Sequence, residues 1–326
     1  MADRPTALVT APFRGEGLDK LERLADVVYD PWIEHQPLRM YNAEQLAERI
    51  QHDGAGIVIV ESDSVRGPVL DLPLLAVGSC RGDPNNVDVH AATARGIPVL
   101  RAPGRNADAV AELTIGLLLA VNRGVVRADR DVREGEIYRD GTIPYQRFRA
   151  WQLAGRTAGL VGLGAVGRAT RWRLEGLGMR VIAHDPYADD AKHSLDDLLA
   201  EADVISMHAM VTPETQGMIG ATQFARVKEG AIYLNSARAM LHDTDALVDA
   251  LRSGKLAGAG LDHFEGEHLP TDHPLASMPN VVLTPHIGGA TYDTEANHSK
   301  LIADGLEQLL GGGKPDNLVN PEVLSS

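Results

Sequence analysis

Three polar residues in the second half of this 326-residue chain suit one reaction: Arg238, Glu267 and His286. A guanidinium holds a carboxylate through its planar fork of donors and polarises an adjacent carbonyl. An imidazole delivers a proton to an oxygen as hydride reaches the carbon that bears it. A carboxylate beside that imidazole favours its charged form and raises its pKa. Together these groups could interconvert 2-oxo and 2-hydroxy acids. Arg238 follows Tyr233-Leu234-Asn235-Ser236-Ala237, Glu267 follows Gly260-Leu261-Asp262-His263-Phe264, and His286 follows Leu283-Thr284-Pro285. Each stands at or just beyond the end of an expected strand, where open parallel sheets place their sites. Taken singly, each has an ordinary alternative: a surface ion pair, a solvated acid, a turn histidine.

A hydride donor is expected upstream, at Leu160-Val161-Gly162-Leu163-Gly164-Ala165-Val166-Gly167-Arg168. Three glycines between a buried strand and a helix are the context a dinucleotide needs. Gly162 permits the turn, Gly164 lets backbone approach a pyrophosphate, and Gly167 lets helix and strand pack closely. The helix N-terminus adds amide donors and positive potential. The next strand ends at Asp185, eighteen residues after Gly167. A carboxylate there accepts ribose hydroxyls and repels a 2′-phosphate, which favours NAD over NADP; alternatively Asp185 only opens the turn with Pro186.

The elements that must position these residues alternate strand and helix, the pattern of α/β parallel sheets covered on both faces. Expected strands in the first part are Ala7–Thr10, Val27–Asp30, Ile57–Val60, Leu74–Ser79 and Pro98–Leu100; those of the second are Thr157–Val161, Arg180–His184, Asp203–His208, Ala231–Asn235, Ala257–Asp262 and Val281–Pro285. Between the two sets, Val110, Leu113, Leu117, Val121 and Val125 make one helical stripe. That spacing predicts a single helix, capped by Asn106, running to about Glu134 and stopped by Gly135. A last helix is expected from Thr291 to about Leu310.

Composition narrows the function classes. At 326 residues the chain exceeds one ordinary core, so two domains are expected. Only 4% of residues are aromatic and the net charge is −14, which opposes stacking on bases and binding to phosphate backbones or anionic membranes. An anionic substrate would therefore need local arginines. A single cysteine, Cys80, excludes an intrachain disulfide and a cysteine-based zinc cluster. Met1 to Pro5 lacks a signal-peptide pattern, and Leu117 to Val121 is too short to span a bilayer. The expectation is a cytoplasmic protein with no nucleic-acid or membrane partner.

Four motifs in order, Gly162 to Gly167, Asn235-Ser236-Ala237-Arg238, Gly260 to Glu267 and Thr284-Pro285-His286-Ile287-Gly288-Gly289, resemble the D-isomer-specific 2-hydroxyacid dehydrogenases, including the phosphoglycerate dehydrogenase branch. The likeness continues through Asn106 to Glu112 and Asn86-Val87-Asp88 and covers nearly the whole chain. It implies two doubly wound parallel-sheet domains. One is a flavodoxin-like substrate domain made of both chain ends (1–101 plus 292–326), and the other a Rossmann NAD-binding domain (102–291). Arg238, Glu267 and His286 match the family's catalytic residues, and Asp262 its nicotinamide-carboxamide aspartate. Further cofactor contacts implied are Val166, His208, Thr212, Ser236, Ala237 and Gly288; Ser79, Cys80, Arg81 and Gly82 form the implied substrate loop. A homodimer through the nucleotide domains is also implied, as is hydride transfer of D-isomer type.

The sequence departs from that pattern in places. The substrate loop is Ser79-Cys80-Arg81-Gly82-Asp83-Pro84 rather than small and glycine-rich, Ala239 stands where glycine commonly follows the arginine, and no proline follows His208 two residues on. Arg81, Arg101, Arg105, Arg147 and Arg149 are candidates to bind a second anionic group on the substrate; the alternative is ion pairing. His263, His268 and His273 stand near Glu265 and Glu267, but their spacing has one residue too many for the inverted zinc motif, and no metal is expected. Cys80 is expected to pack rather than react. Two rival functions share the fold: oxidation of a phosphite-type hydride donor, and an NAD-sensing scaffold like transcriptional corepressors.

Overall fold

Runs of aliphatic and β-branched residues form eleven strands in the computed structural model, which describes residues 4–325. The chain divides into two compact units, Met1–Arg105 with Thr291–Ser326, and Asn106–Ala290. The first holds β1 (Thr6–Val9), β2 (Asp26–Tyr29), β3 (Ile57–Val60), β4 (Ala76–Ser79) and β5 (Val99–Leu100), all parallel, in the order β2-β1-β3-β4-β5. This is the flavodoxin-like order. Successive side chains on a strand face opposite ways, and β3 divides its residues accordingly. Val58 and Val60 join a core with Leu46, Ile50 and Val69, while Ile57 and Ile59 join one with Leu21, Ile302 and Leu306. Helices therefore cover both faces, Ala43–Asp53 on one and Glu16–Leu24 with Tyr292–Leu310 on the other.

The second unit holds β6 (Thr157–Val161), β7 (Arg180–His184), β8 (Val204–Met207), β9 (Ala231–Asn235), β10 (Leu256–Leu261) and β11 (Val281–Leu283). They too are parallel, in the order β11-β10-β9-β8-β6-β7. The winding direction reverses at β6, which lies between β7 and β8. Both faces are again apolar: Leu160, Leu234, Leu117 and Leu174 pack on one, and Val161, Ile205, Met207 and Leu261 on the other.

The long helix expected over 106–134 is not continuous. It forms as Ala107–Arg123 and Val125–Arg133, bent by 64° at Gly124. Gly124 adopts φ 61°, ψ 31°, a left-handed conformation that ends a helix and costs glycine little. The apolar stripe ends there as well, with Val125 half exposed. Asn106 occupies the cap position, but its side chain accepts no capping hydrogen bond. The expected strand start at Leu74 also shifts. Leu74 and Leu75 lie in the approach to β4, where the Leu75 amide donates to the Gly56 carbonyl. A short helix at Ala221–Arg226 was not expected from the sequence pattern. Among the described residues no single helix is long and apolar enough to cross a membrane.

Candidate active site

Because β6–β11 are parallel, all six release the chain at one edge of their sheet. The residues that follow them are Gly162, Asp185, His208, Ser236 to Arg238, Asp262 with His263, and Thr284 to His286. Leu261 pairs with Asn235 on one side and Leu283 on the other, so β9, β10 and β11 end level. Arg238 and His286 therefore leave strands on either side of His263.

His286 Nδ1 lies 2.8 Å from Glu267 Oε1. Both residues have φ 54°, in the left-handed region that non-glycine residues seldom occupy. Such conformations persist only where surrounding structure over-determines them. Asp262 supplies much of that constraint. Its Oδ1 accepts from the Thr284 hydroxyl (2.6 Å) and the Ile287 amide (2.9 Å), and its Oδ2 from the Gly288 amide (2.8 Å). Asp262 is wholly buried. The aspartate assigned by resemblance to the nicotinamide thus clamps the loop that presents His286. Gly288 fits closely against it, since a Cβ there would lie 3.0 Å from Asp262 Oδ2.

On the neighbouring strand end, Asn235 shapes the arginine loop. Its Oδ1 accepts from the Ala237 amide (3.0 Å), and its Nδ2 donates to the Arg238 carbonyl (2.9 Å) and to His242 Nδ1 (3.0 Å). Burial pushes the His242 pKa down to about 4, which keeps the ring neutral and able to accept. The exposed Arg238 side chain uses one donor on the Ala237 carbonyl (2.6 Å), leaving others for a ligand. His263 packs against His286 with ring centroids 3.8 Å apart. Its pKa is pushed down to about 4, first by burial and then by the neighbouring His286 and Arg238, against Asp262 and Glu267. Arginine, histidine and glutamate thus converge around one buried neutral ring. The sequence does not single out His263, Thr284, Asn235 or His242 as site-shaping residues, although all but His242 lie inside the motifs quoted above.

The glycine turn fits a dinucleotide. Gly162 has φ 97°, and a Cβ there would meet the His208 carbonyl carbon and Ala209 nitrogen at 2.6 Å. A Cβ at Gly167 would lie 2.3 Å from the Gly162 carbonyl oxygen. Around Gly164 nothing lies within 4 Å, which leaves open the approach to the N-terminus of the twelve-residue helix Ala165–Gly176. Val166 stands in that helix's first turn. Asp185 ties β7 to the turn, accepting from the Leu163 amide (2.7 Å) and the Tyr187 amide (2.9 Å). Next to the turn, His208 Nε2 meets Ser206 Oγ at 2.9 Å, but Nδ1 is buried without a partner. Burial lowers the His208 pKa to about 4. An orphaned buried nitrogen beside a glycine cradle is what a group binding there would satisfy. Thr212 and Ser236 are engaged locally, Thr212 with Thr215 and Ser236 with Thr114 at 2.7 Å.

Residues 115–288 match the sequence profile of the D-isomer specific 2-hydroxyacid dehydrogenase NAD binding domain. The chain belongs to this family. It is 37% identical to a glyoxylate reductase of Thermofilum pendens over 336 residues, covering 98% of this chain and 96% of that protein. It is 40% identical to a D-3-phosphoglycerate dehydrogenase of Archaeoglobus fulgidus over 244 residues, 72% of this chain and 45% of that protein. A crystal structure of a glyoxylate reductase from Paecilomyes thermophila superposes with a TM-score of 0.78 at 27% identity, covering 99% of this chain and all of that one. The protein is an NAD-dependent oxidoreductase that interconverts 2-hydroxy and 2-oxo acids.

The dehydrogenase's first unit treats its expected substrate residues differently. Ser79 and Cys80 are fully buried; Ser79 Oγ donates to Asn86 Oδ1 (2.9 Å), and burial pushes the Cys80 thiol well above its usual pKa. Their side chains face the core, so only backbone is presented there. Gly82 is half exposed. Arg81 donates to the Glu61 carbonyl (2.6 Å) and Asn85 Oδ1 (2.7 Å). Arg105 pairs with Glu61 (2.5 Å) and donates to His298 Nδ1 (2.7 Å). In the second unit, Arg147 bridges Asp131, Thr142 and the Ile137 carbonyl. Arg105 and Arg147 are therefore internal braces rather than anion receptors, while Arg101 and Arg149 remain exposed.

Proposed function

We propose that Arg238 binds the substrate carboxylate, that His286 is the acid and base for the C2 oxygen, and that Glu267 orients His286. The carrying observation is the 2.8 Å contact between His286 Nδ1 and Glu267 Oε1, made by two residues held in left-handed backbone. With Nδ1 facing the carboxylate, Nε2 is left to face a substrate oxygen. Bound NADH supplies a hydride at C2. During reduction His286 gives its Nε2 proton to the carbonyl oxygen, and the product is the 2-hydroxy acid; in oxidation the same nitrogen takes that proton back. Arg238 holds the carboxylate through the donors left after its bond to the Ala237 carbonyl, which fixes the carbonyl beside the imidazole.

The preferred substrate is a small 2-oxo monocarboxylate such as glyoxylate, with a D-2-hydroxy acid formed where C2 becomes chiral. Two arginines weighed for a second anion are tied to acidic partners, which supports a monocarboxylate. Glyoxylate reductase relatives over the full chain support the same choice. The test is steady-state oxidation of NADH with glyoxylate by the parent and His286→Ala. Turnover should fall by roughly 10²–10⁴-fold with NADH affinity kept; equal turnover removes the assignment.

The chain acts as a homodimer in the cytoplasm in this reading. Support comes from apolar side chains left exposed along one stretch of the second unit: Val125, Val126, Val132, Tyr138, Tyr145 and Trp151. Light scattering should give twice the mass of one chain, and Tyr145→Lys with Val132→Glu should halve it.

A further inference from the structure

We propose that His263, Glu267 and His286 form an inhibitory site for a divalent transition cation of the zinc type. One ligand atom from each of these residues lies within 4.8 Å of the other two. His286 Nδ1 is 2.8 Å and His263 Nδ1 4.0 Å from the same Glu267 Oε1. A tetrahedral zinc with bonds of about 2.0–2.1 Å needs ligand atoms roughly 3.3 Å apart. The first distance must open slightly and the second close by less than 1 Å, shifts within reach of small side-chain rotations. Two imidazoles and a carboxylate are a common zinc donor set and leave a fourth position for water or a substrate oxygen.

The surroundings favour such a site. His263 is buried, with its ring against His286 and its backbone fixed at the end of β10, so one ligand is preorganised and already desolvated. The charges around it are mixed. Arg238 opposes a cation, whereas Asp262 and Glu267 attract one. Asp262 also fixes the loop carrying His286 through the Ile287 and Gly288 amides. Proton transfer as described above uses His286 and Glu267 alone. Replacing His263 by an aliphatic residue removes the third ligand, and any effect of the lost ring contact with His286 is read in the metal-free rate.

Inhibition follows from the atom involved. His286 Nδ1 can carry a proton facing Glu267 or a metal, and not both. With the metal on Nδ1, the ring has left only the Nε2 proton of a metal-bound imidazole, a far weaker acid than imidazolium. The substrate oxygen then lacks its proton donor. This consequence rests on the assignment of His286 as the acid, whereas metal binding does not.

The full-length chain, stripped with EDTA, is titrated with Co²⁺ and followed by the visible bands of tetrahedral cobalt. NADH oxidation with glyoxylate is then measured against Zn²⁺. One cobalt per chain is expected, with loss of activity that EDTA reverses. His263→Val and His263→Asn should each weaken both effects by at least about tenfold, every variant read against its own metal-free rate. Absence of cobalt bands in the parent overturns the site, as does zinc inhibition unchanged in both variants. Cobalt bands that require His263 while activity stays intact overturn the inhibition and count against His286 as the acid. A metal-free chain inert toward NADH and 2-oxo acids fails the catalytic assignment alone, and the cobalt titration still decides the site.

Discussion

The two sheets end alike and use their ends differently. At the carboxyl edge of β1–β5 the polar side chains are bonded to one another. Asp63 accepts from the Thr10 hydroxyl (2.5 Å) and the Tyr41 amide (2.6 Å), and Ser79 donates to Asn86 (2.9 Å). Arg105 joins Glu61 to His298 Nδ1, whose Nε2 donates to the Pro12 carbonyl at 2.6 Å. At the carboxyl edge of β6–β11, Arg238, Glu267 and His286 are exposed, His208 keeps an unpartnered nitrogen, and the space at Gly164 is open. Closed networks rigidify a fold, whereas leftover donors and acceptors bind ligands. The same winding yields either one, so function lies in the edge residues rather than in the fold.

If that contrast holds, substitutions at the two edges should separate activity from stability. Arg238→Ala should lower kcat/KM by roughly 10³-fold, the loss of a charge-assisted carboxylate contact in the transition state. Its urea midpoint should match the parent's. A large loss of stability would place Arg238 among the internal braces.

Glu61→Ala should do the opposite. It leaves the Arg105 guanidinium unpaired with only 16% of its side chain exposed, and should cost about 3 kcal/mol in urea unfolding. Turnover per folded molecule should stay the same. Stability unchanged within error would show that the first edge is not held by this pair.

Acid titration gives a smaller effect. Burial lowers the His298 pKa to about 4, from about 6.5 in an unfolded chain. Protonation thus favours the unfolded state, so the stability is full above pH 6.5 and is lost as pH falls from there towards 4. The slope is up to about 1.4 kcal/mol per pH unit for this one proton. His298→Asn should flatten the slope of Tm against pH in that window; an unchanged slope would mean that the ring is already charged in the folded protein.

The smallest effect on the fold should come from Gly164→Ala, within about 0.5 kcal/mol, because its Cβ meets nothing. Gly162→Ala, with φ 97° and backbone at 2.6 Å, should be far worse. NADH affinity should fall in both, as calorimetry can measure. Undiminished affinity in Gly164→Ala would move the pyrophosphate elsewhere.

Much of this was legible from residues. Thr157–Val161, Arg180–His184 and Ala231–Asn235 form where expected, because continuous apolar runs bounded by turn residues admit little else. The motifs placed Arg238, Glu267 and His286 at strand ends, and parallel pairing brings those ends to one edge. Periodicity failed at Gly124, since an apolar stripe cannot show that one glycine has turned left-handed. Motif matching could not show that the sheet buries the side chains of Ser79 and Cys80, which leaves only their backbone for a ligand. Nor could it show that Asp262 also holds the loop carrying His286.

The sequence by itself determined the class of fold, the glycine turn and the chemical types at the strand ends, because these follow from local periodicity and side-chain chemistry. Tertiary structure decided which polar groups found partners. Arg105 and Arg238 are the same residue type, yet one lies against Glu61 and His298 while the other keeps donors to spare. Partnership depends on residues far apart along the chain, His298 lying 193 positions from Arg105, and no local pattern carries that distance.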